Sequence, residues 1–128
     1  MLLHEELTSQ ILNAFYEVYN RLGYGFLEKV YQNSLFFELK NRGLDVIPQK
    51  RCAVFYKGRE VGEYFSDIVV NEVIILELKA CDAIAREHAS QLQNYLKASN
   101  LELGFVLNFG QKPEFYRMLL TNDKKKIN

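Results

Sequence analysis

Three ionisable residues stand in or beside an apolar stretch in the middle of the chain: Asp67, Glu77 and Lys79. Charged side chains are costly in apolar surroundings unless they are paired or bind a metal ion. Two carboxylates, with a carbonyl oxygen and water, form the oxygen-rich site that Mg²⁺ or Mn²⁺ prefers, and a nearby ammonium can orient a water molecule or stabilise charge on a phosphate. The three residue types therefore fit metal-dependent hydrolysis of a phosphodiester.

The strands that carry these residues decide whether they can act together. Glu77 and Lys79 are two residues apart in a predicted strand, so their side chains emerge from one face of the sheet. Asp67 belongs to the preceding strand, and a two-residue turn at residues 71–72 would place it opposite Leu76 instead of Glu77. We therefore expect a connection of odd length or a β-bulge, because only that places both carboxylates on one side.

The same three residues also fit a purely structural arrangement. Glu77 and Lys79 can form a salt bridge at the end of a strand, with Asp67 hydrogen-bonded at a turn. Short patterns of this kind often occur without any catalytic role. The spacing by itself leaves both interpretations open.

Hydrophobic periodicity predicts the elements around these residues. Helical spacing is found over residues 8–22, 27–39 and 84–99, and the first two of these segments end at glycine-containing turns. Three consecutive strands are predicted between residues 45 and 79, and a fourth over residues 103–109. The predicted order is α-α-β-β-β-α-β. The helix between the third and fourth strands predicts that these two pair in parallel, which gives a mixed sheet flanked by helices.

Length and charge limit the functions that the chain can have. Its 128 residues suit one domain over residues 1–120, followed by a polar, basic tail over residues 121–128 that we expect to be solvated. Lys plus Arg and Asp plus Glu number 16 each, so any site for a polyanion must be a local patch. The two cysteines and two histidines lack zinc-site spacing. Without a membrane-spanning or export segment, we expect a cytoplasmic protein that does not bind membranes.

Several motifs resemble those of a known superfamily. Asp67 followed by Glu77-Leu-Lys79 after a hydrophobic run resembles the core motif of the PD-(D/E)XK nucleases. The segment GFLEKVY at residues 25–31 resembles the signature of one small family within it, the GxxExxY proteins. Further similar positions are Gln49 and Tyr56 in the first strand, QLQNYL at residues 91–96 and LNFG at residues 107–110.

This resemblance implies a fold and a set of site residues. The implied fold is α/β, with a restriction-endonuclease-like α-β-β-β-α-β core and an extra N-terminal helix. The implied cofactor is Mg²⁺ or Mn²⁺. The implied catalytic residues are Asp67, Glu77, Lys79 and Glu28, of which Asp67, Glu77 and Glu28 bind the metal. The implied substrate-binding residues are Gln91, Tyr95, Tyr31 and Gln49.

Each of the helical candidates also has a structural explanation. A glutamate at the start of a helix, such as Glu28, is favoured by the helix dipole. Gln91 and Tyr95 are four residues apart and can simply flank a buried stripe of the third predicted helix. His88 on the same helix fits a partly buried imidazole with a local hydrogen bond.

The resemblance implies a Mg²⁺-dependent phosphodiesterase that hydrolyses DNA. A small, neutral protein has little surface with which to hold a duplex, because phosphate contacts supply much of the affinity for nucleic acid. We therefore expect weak binding by the chain alone and help from a homodimer or a protein partner, with aromatic residues 24, 26, 36 and 37 as a candidate apolar patch. The alternative is a noncatalytic module that lends the same fold to a larger nucleic-acid-processing assembly.

Overall fold

A computed structural model describes residues 3–126 of the chain. Its elements follow the predicted order, with one strand added near the end. They are α1 (Glu5–Leu22), α2 (Glu28–Asn41), β1 (Val46–Tyr56), β2 (Arg59–Val70), β3 (Ile74–Lys79), α3 (Arg86–Ala98), β4 (Leu103–Phe109) and β5 (Pro113–Leu119). The first helix thus begins three residues earlier than its apolar spacing predicted.

The five strands form one mixed sheet in the order β1-β2-β3-β4-β5. β3 and β4 are parallel, as predicted, and α3 makes the connection between them. The other neighbouring pairs are antiparallel. β3 and β4 lie in the middle of the sheet and are almost wholly buried, which explains their continuous apolar sequences.

Helices cover both faces of the sheet. α1 and α2 pack on one face through a cluster that includes Phe15 and Leu35 together with Leu76 of β3. α3 packs on the other face, where Leu92 meets Ile75 of the same strand. Side chains alternate between the faces of a strand, so the odd-numbered residues that follow Ile75 in β3 point towards α3. The α3 face therefore carries the ionisable residues of β3.

The fifth strand, β5, was not predicted from the sequence. It begins at Pro113 and pairs with β4 from Leu103↔Leu119 to Phe109↔Pro113. Most of its residues, including Phe115 and Tyr116, are exposed, as is usual for an edge strand. A strand that starts with proline and has few buried side chains gives a weak periodic signal in the sequence. Its position is set by pairing with the free edge of β4.

Lys124 and Lys126 of the basic tail are exposed, but the tail is not free along its whole described length. A short 3₁₀ helix at Asn122–Lys124 leads to Lys125. The Lys125 ammonium donates hydrogen bonds to the carbonyl oxygens of Ser99, at 3.0 Å, and Leu101, at 2.6 Å. The tail is therefore attached beside the carboxyl end of α3. The last two residues of the predicted tail lie outside the described part of the chain.

Two further expectations concern the surface. Tyr24, Phe26 and Phe37 are exposed, as expected for an apolar patch, whereas Phe36 packs against the core of the α1–α2 face. No helix within residues 3–126 is long and apolar enough to span a membrane.

Candidate active site

The connection between β2 and β3 has the odd length that the sequence required. Val70 pairs with Ile74 and Ile68 pairs with Leu76, which leaves three residues, 71–73, in the turn. The regular ladder stops at Ile68↔Leu76. One step further along the same register, Asp67 stands beside Glu77, so the prediction that both carboxylates lie on one side is confirmed.

Asp67 lies where the hydrogen-bond ladders on both sides of β2 are interrupted. On the β1 side, pairing is regular at Pro48↔Ile68 and at Lys50↔Ser66 but not at Gln49 between them, whose φ is +50°. On the β3 side, the Asp67 carboxylate replaces the ladder, because its Oδ2 accepts a hydrogen bond of 2.7 Å from the Leu78 N–H. The side chain is thereby fixed against β3.

Gln32 of α2 holds the backbone of Asp67 from the opposite face. Its side-chain amide donates to the Asp67 carbonyl oxygen at 3.3 Å, and the side chain is nearly buried. Buried polar groups require such partners, since an unpaired one costs about 1–3 kcal/mol. Sequence reasoning missed this residue, although it lies one helical turn after Glu28 on α2.

Five of the predicted site residues line one pocket of about 210 Å³ on the α3 face. They are Asp67 of β2, Glu77 and Lys79 of β3, and Gln91 and Tyr95 of α3. Tyr64 and Phe65 of β2 complete the wall. Tyr95 is almost fully buried and its hydroxyl donates to the Lys50 carbonyl oxygen at 3.2 Å, so its ring is held in place at the pocket.

Glu77 is the most unusual ionisable group in the pocket. Only 7% of it is exposed. Burial, reinforced by the negative charge of Asp67 and a hydrogen bond shared with that carboxyl group, raises the pKa of Glu77 to about 9, although the positive charge of Lys79 acts in the opposite direction. Metal-free Glu77 is therefore a neutral acid at pH 7, and a cation is the natural means of ionising it.

The salt bridge of the structural alternative is not formed. The ion pairs found among residues 3–126 join Arg21 to Glu17, Arg42 to Glu38, and Arg51 to Glu60 and Glu63. Neither Glu77 nor Lys79 takes part in one. The ammonium of Lys79 is thus not committed to its neighbour on the strand.

The donor atoms fit a magnesium or manganese ion only in part. Asp67 and Glu77 provide adjacent carboxylate oxygens in a largely buried setting, which is the ligand type that Mg²⁺ prefers. Residues 3–126 contain no group of three His, Cys, Asp or Glu side chains arranged to hold a metal. Other positions around such an ion would be filled by carbonyl oxygens, water and substrate, as is usual for Mg²⁺.

Glu28, the expected third carboxylate, is therefore not assembled with the other two. It is the first residue of α2 and is exposed. Partial burial raises the pKa of Glu28, the positive charge of Lys79 lowers it, and the negative charge of Asp67 raises it. These interactions place Glu28 within electrostatic range of the pocket but outside its carboxylate pair.

Tyr31 and Gln49 do not line the pocket either. Tyr31 is fully buried and stacks on Phe109 at a ring separation of 4.4 Å. Its hydroxyl donates to the Gly23 carbonyl oxygen at 2.7 Å and accepts from the Phe26 N–H at 3.2 Å, so it fixes the α1–α2 turn. A side chain without exposed surface cannot contact substrate, which corrects the expected role of Tyr31. Gln49 is exposed and lies at the gap in the β1–β2 ladder, and its contact with substrate stays a prediction.

Asn108 of β4 secures the segment that follows Lys79. It pairs with Lys79 in the parallel ladder and is fully buried. Its side chain binds both backbone groups of Cys81, accepting from the N–H at 3.0 Å and donating to the carbonyl oxygen at 2.9 Å. A Cβ at Gly110 would overlap that same carbonyl oxygen, which explains why glycine is required there. The motif at residues 107–110 thus holds the segment that follows Lys79 in place.

His88 and the two cysteines have the local surroundings that the sequence suggested. The Nδ1 atom of His88 accepts a hydrogen bond of 2.9 Å from the Ala85 N–H at the start of α3. Cys52 and Cys81 are free thiols and partly buried.

This fold and this sequence were compared with those of known proteins. The solved structure titled "Crystal structure of SSO0001" has a similar fold, with a TM-score of 0.58 and 16% sequence identity over 75% of this chain. The chain spans about half of that protein, 51% of its length. No curated protein matches the sequence. A family model described as the PD-(D/E)XK nuclease superfamily matches residues 5–118. The chain belongs to the PD-(D/E)XK nuclease superfamily.

Proposed function

We propose that the protein is a metal-dependent nuclease of the GxxExxY type that hydrolyses phosphodiester bonds in DNA. The observation that carries the proposal is the opening of the sheet after Ile68↔Leu76, which brings Asp67, Glu77 and Lys79 into one pocket with Gln91 and Tyr95. Superfamily membership supports a nuclease-like function. The pocket supplies the groups that this chemistry needs.

Asp67 and Glu77 would hold Mg²⁺ or Mn²⁺ through their adjacent carboxylates. A divalent cation in such a position supplies Lewis-acid stabilisation of phosphate charge and lowers the pKa of water. The hydrogen bond from Leu78 N–H orients Asp67, and Gln32 fixes the backbone from which that side chain extends. The Asp67 carboxylate is therefore held in position before any ligand arrives.

The position of Lys79 supports a direct role on the reacting groups. Its strand position directs it to the same face as Glu77, and none of the ion pairs among the described residues occupies its ammonium. We assign to it the orientation of the attacking water and the stabilisation of charge on the phosphate oxygens. Gln91 and Tyr95 would contact the substrate from α3, and Glu28 would assist from the edge of the pocket.

The proposal is tested by cleavage of DNA by the purified full-length chain. Supercoiled and single-stranded DNA are incubated with Mg²⁺, with Mn²⁺ or with a chelator, and the products are separated on gels. We expect cleavage only with a divalent ion. Lys79→Met should lower the rate roughly 100-fold or more while leaving Mn²⁺ binding measurable by calorimetry, whereas Asp67→Asn should abolish both. Lys112→Met, a change at an exposed lysine distant in sequence from the pocket, is the matched control.

The noncatalytic alternative predicts a different pattern. A module that has only kept the fold would bind no metal at Asp67 and would cleave none of these substrates. Wild-type protein that lacks both activities, or Asp67→Asn protein that retains full cleavage, would contradict the proposed function.

A further inference from the structure

A second and larger depression lies on the α3 face, beside the candidate active site. It has a volume of about 610 Å³ and runs between the β1–β2 hairpin and the carboxyl-terminal half of α3. We call it the α3 groove. Its wall includes Phe55 and Tyr64 of the hairpin, Asn94 and Lys97 of α3, and Asn122 and Lys126 of the tail. Tyr64 also lines the active-site pocket, so the two depressions meet at its ring.

The charge of the α3 groove differs from that of the whole chain. Its described lining residues include Lys97, Lys125 and Lys126 and not one aspartate or glutamate. The complete sequence, by contrast, has 16 basic and 16 acidic residues. Three cations collected in one cleft create a local positive potential, which is the kind of patch that a neutral protein needs to bind a polyanion.

The docked tail makes this end of α3 suitable for phosphate. The carboxyl end of a helix presents unpaired carbonyl oxygens and a partial negative charge, which would repel an anion. Lys125 donates to the Ser99 and Leu101 carbonyl oxygens just beyond α3 and thereby offsets that charge. Glu102 also acts on Lys125, so the exposed Lys97 and Lys126 are the cations that a phosphate would contact.

Aromatic rings complete the groove on the hairpin side. Tyr64 is 38% exposed and Phe55 is 47% exposed. Exposed rings next to lysines are the combination that binds single-stranded nucleic acid, because the unpaired bases stack on the rings while the cations follow the phosphates. The bases of an intact duplex are already stacked on each other and cannot use such rings.

We propose that the α3 groove binds the single-stranded segment of nucleic acid that adjoins the phosphodiester in the active site. This inference rests on the proposed function, which it narrows to substrates with a single-stranded region. Tyr64 marks the point at which the strand passes from the groove to the active site. Lys97 and Lys126 contact its phosphates, and Tyr64 and Phe55 stack on its bases.

Binding without cleavage tests this directly. Fluorescein-labelled oligothymidylate of about 12 nucleotides is titrated with the full-length protein in a chelator, and fluorescence anisotropy is followed over a series of salt concentrations. The groove variant is Lys97→Gln with Lys126→Gln. The matched control is Lys40→Gln with Lys112→Gln, two exposed lysines that do not line the α3 groove.

The groove variant should bind roughly tenfold more weakly than wild type, and its salt dependence should fall by roughly 0.7 per lost phosphate contact. Tyr64→Ala should weaken binding roughly tenfold or more, while Tyr64→Phe, which keeps the ring, should bind as wild type does. The control pair should also bind as wild type does.

Three results would overturn the inference: equal losses in the groove and control pairs, a blunt duplex of the same length bound as tightly as the single strand, or full competition by polyglutamate. Cleavage assays test the proposed function separately. Groove-dependent binding without any metal-dependent cleavage would support the α3 groove as a binding site and contradict the nuclease assignment. Cleavage with groove-independent binding would do the reverse.

Discussion

Glu77 offers the sharpest test of the electrostatics of the site. In the metal-free protein its carboxyl group is buried next to Asp67, and this environment raises its pKa from an ordinary 4.5 to about 9. A group whose pKa is raised on folding stabilises the folded state below its unfolded pKa, and that contribution is lost as the pH rises through the folded pKa. Glu77→Gln removes the ionisable proton but keeps an N–H donor for Asp67. We therefore expect the variant to be more stable than wild type at neutral pH.

The size of the effect follows from the two pKa values. Each pH unit between 4.5 and about 9 corresponds to about 1.4 kcal/mol in the free energy of unfolding. The unfolded wild-type chain gains this energy by ionising Glu77, whereas the unfolded chain of the Glu77→Gln variant has no such group to ionise. The stability difference should thus be near zero at pH 4.5 and about 3 kcal/mol at pH 7. It should continue to grow up to about pH 9. Little solvent screening is expected, because only 7% of Glu77 is exposed.

Urea unfolding followed by circular dichroism, repeated from pH 5 to pH 9 in a chelator, measures this difference. Glu114→Gln, which removes an exposed glutamate on β5, is the control and should show no comparable trend. The titration is then repeated with Mn²⁺. Wild type should gain about 3 kcal/mol at a metal concentration roughly 100 times Kd, and Glu77→Gln should gain much less.

Either of two results would refute the reasoning. Glu77→Gln could prove less stable than wild type at pH 7, or its advantage could stay constant between pH 5 and pH 8. A constant advantage would mean that Glu77 is ionised in the folded, metal-free protein, and a less stable variant would mean that burial beside Asp67 does not outweigh the contacts of the glutamate.

Two further predictions concern residues that support the site. Gln32→Leu removes the donor to the Asp67 carbonyl oxygen. Cleavage should fall at least roughly tenfold, while the free energy of unfolding should fall by only about 1 kcal/mol. An equal loss of cleavage in Gln93→Leu, at an exposed glutamine of α3, would argue against a positioning role for Gln32. Asn108→Ala leaves both backbone groups of Cys81 without their side-chain partner. The free energy of unfolding in urea should fall by about 1–3 kcal/mol, and the Cys81 amide should exchange faster. Unchanged amide exchange at Cys81 would contradict the supporting role assigned to Asn108.

Much of the fold could be predicted from local patterns in the sequence. The two helices before the sheet, the three-strand meander and the parallel pairing of β3 with β4 all follow from periodicity and chain order. The odd-length turn followed from the requirement that Asp67 and Glu77 lie on one face of the sheet. Strand side chains alternate with a period of two, so only one register brings the two residues side by side. Periodicity encodes the face on which a side chain lies, and the face was enough to group the three core residues.

The partners of buried polar groups could not be predicted in this way. Tyr31 and Gln32 are neighbours on α2, yet one stacks in the core and the other holds Asp67. Sequence spacing cannot separate these roles, since the partner of each lies on a distant segment. Glu28 shows the same limit, because its motif position predicted a metal ligand and its location at the start of α2 leaves it beside the pocket.

The sequence by itself determined the order of elements, the shared face of Glu77 and Lys79 and the resemblance to the nuclease superfamily. Only the tertiary structure decided that β5 forms an edge of the sheet, that Asn108 holds the segment after Lys79, and that the basic tail lies beside α3 and forms part of a groove. The physical reason is that periodicity acts over neighbouring residues, whereas hydrogen-bond satisfaction and charge compensation are settled between segments that the fold alone brings together.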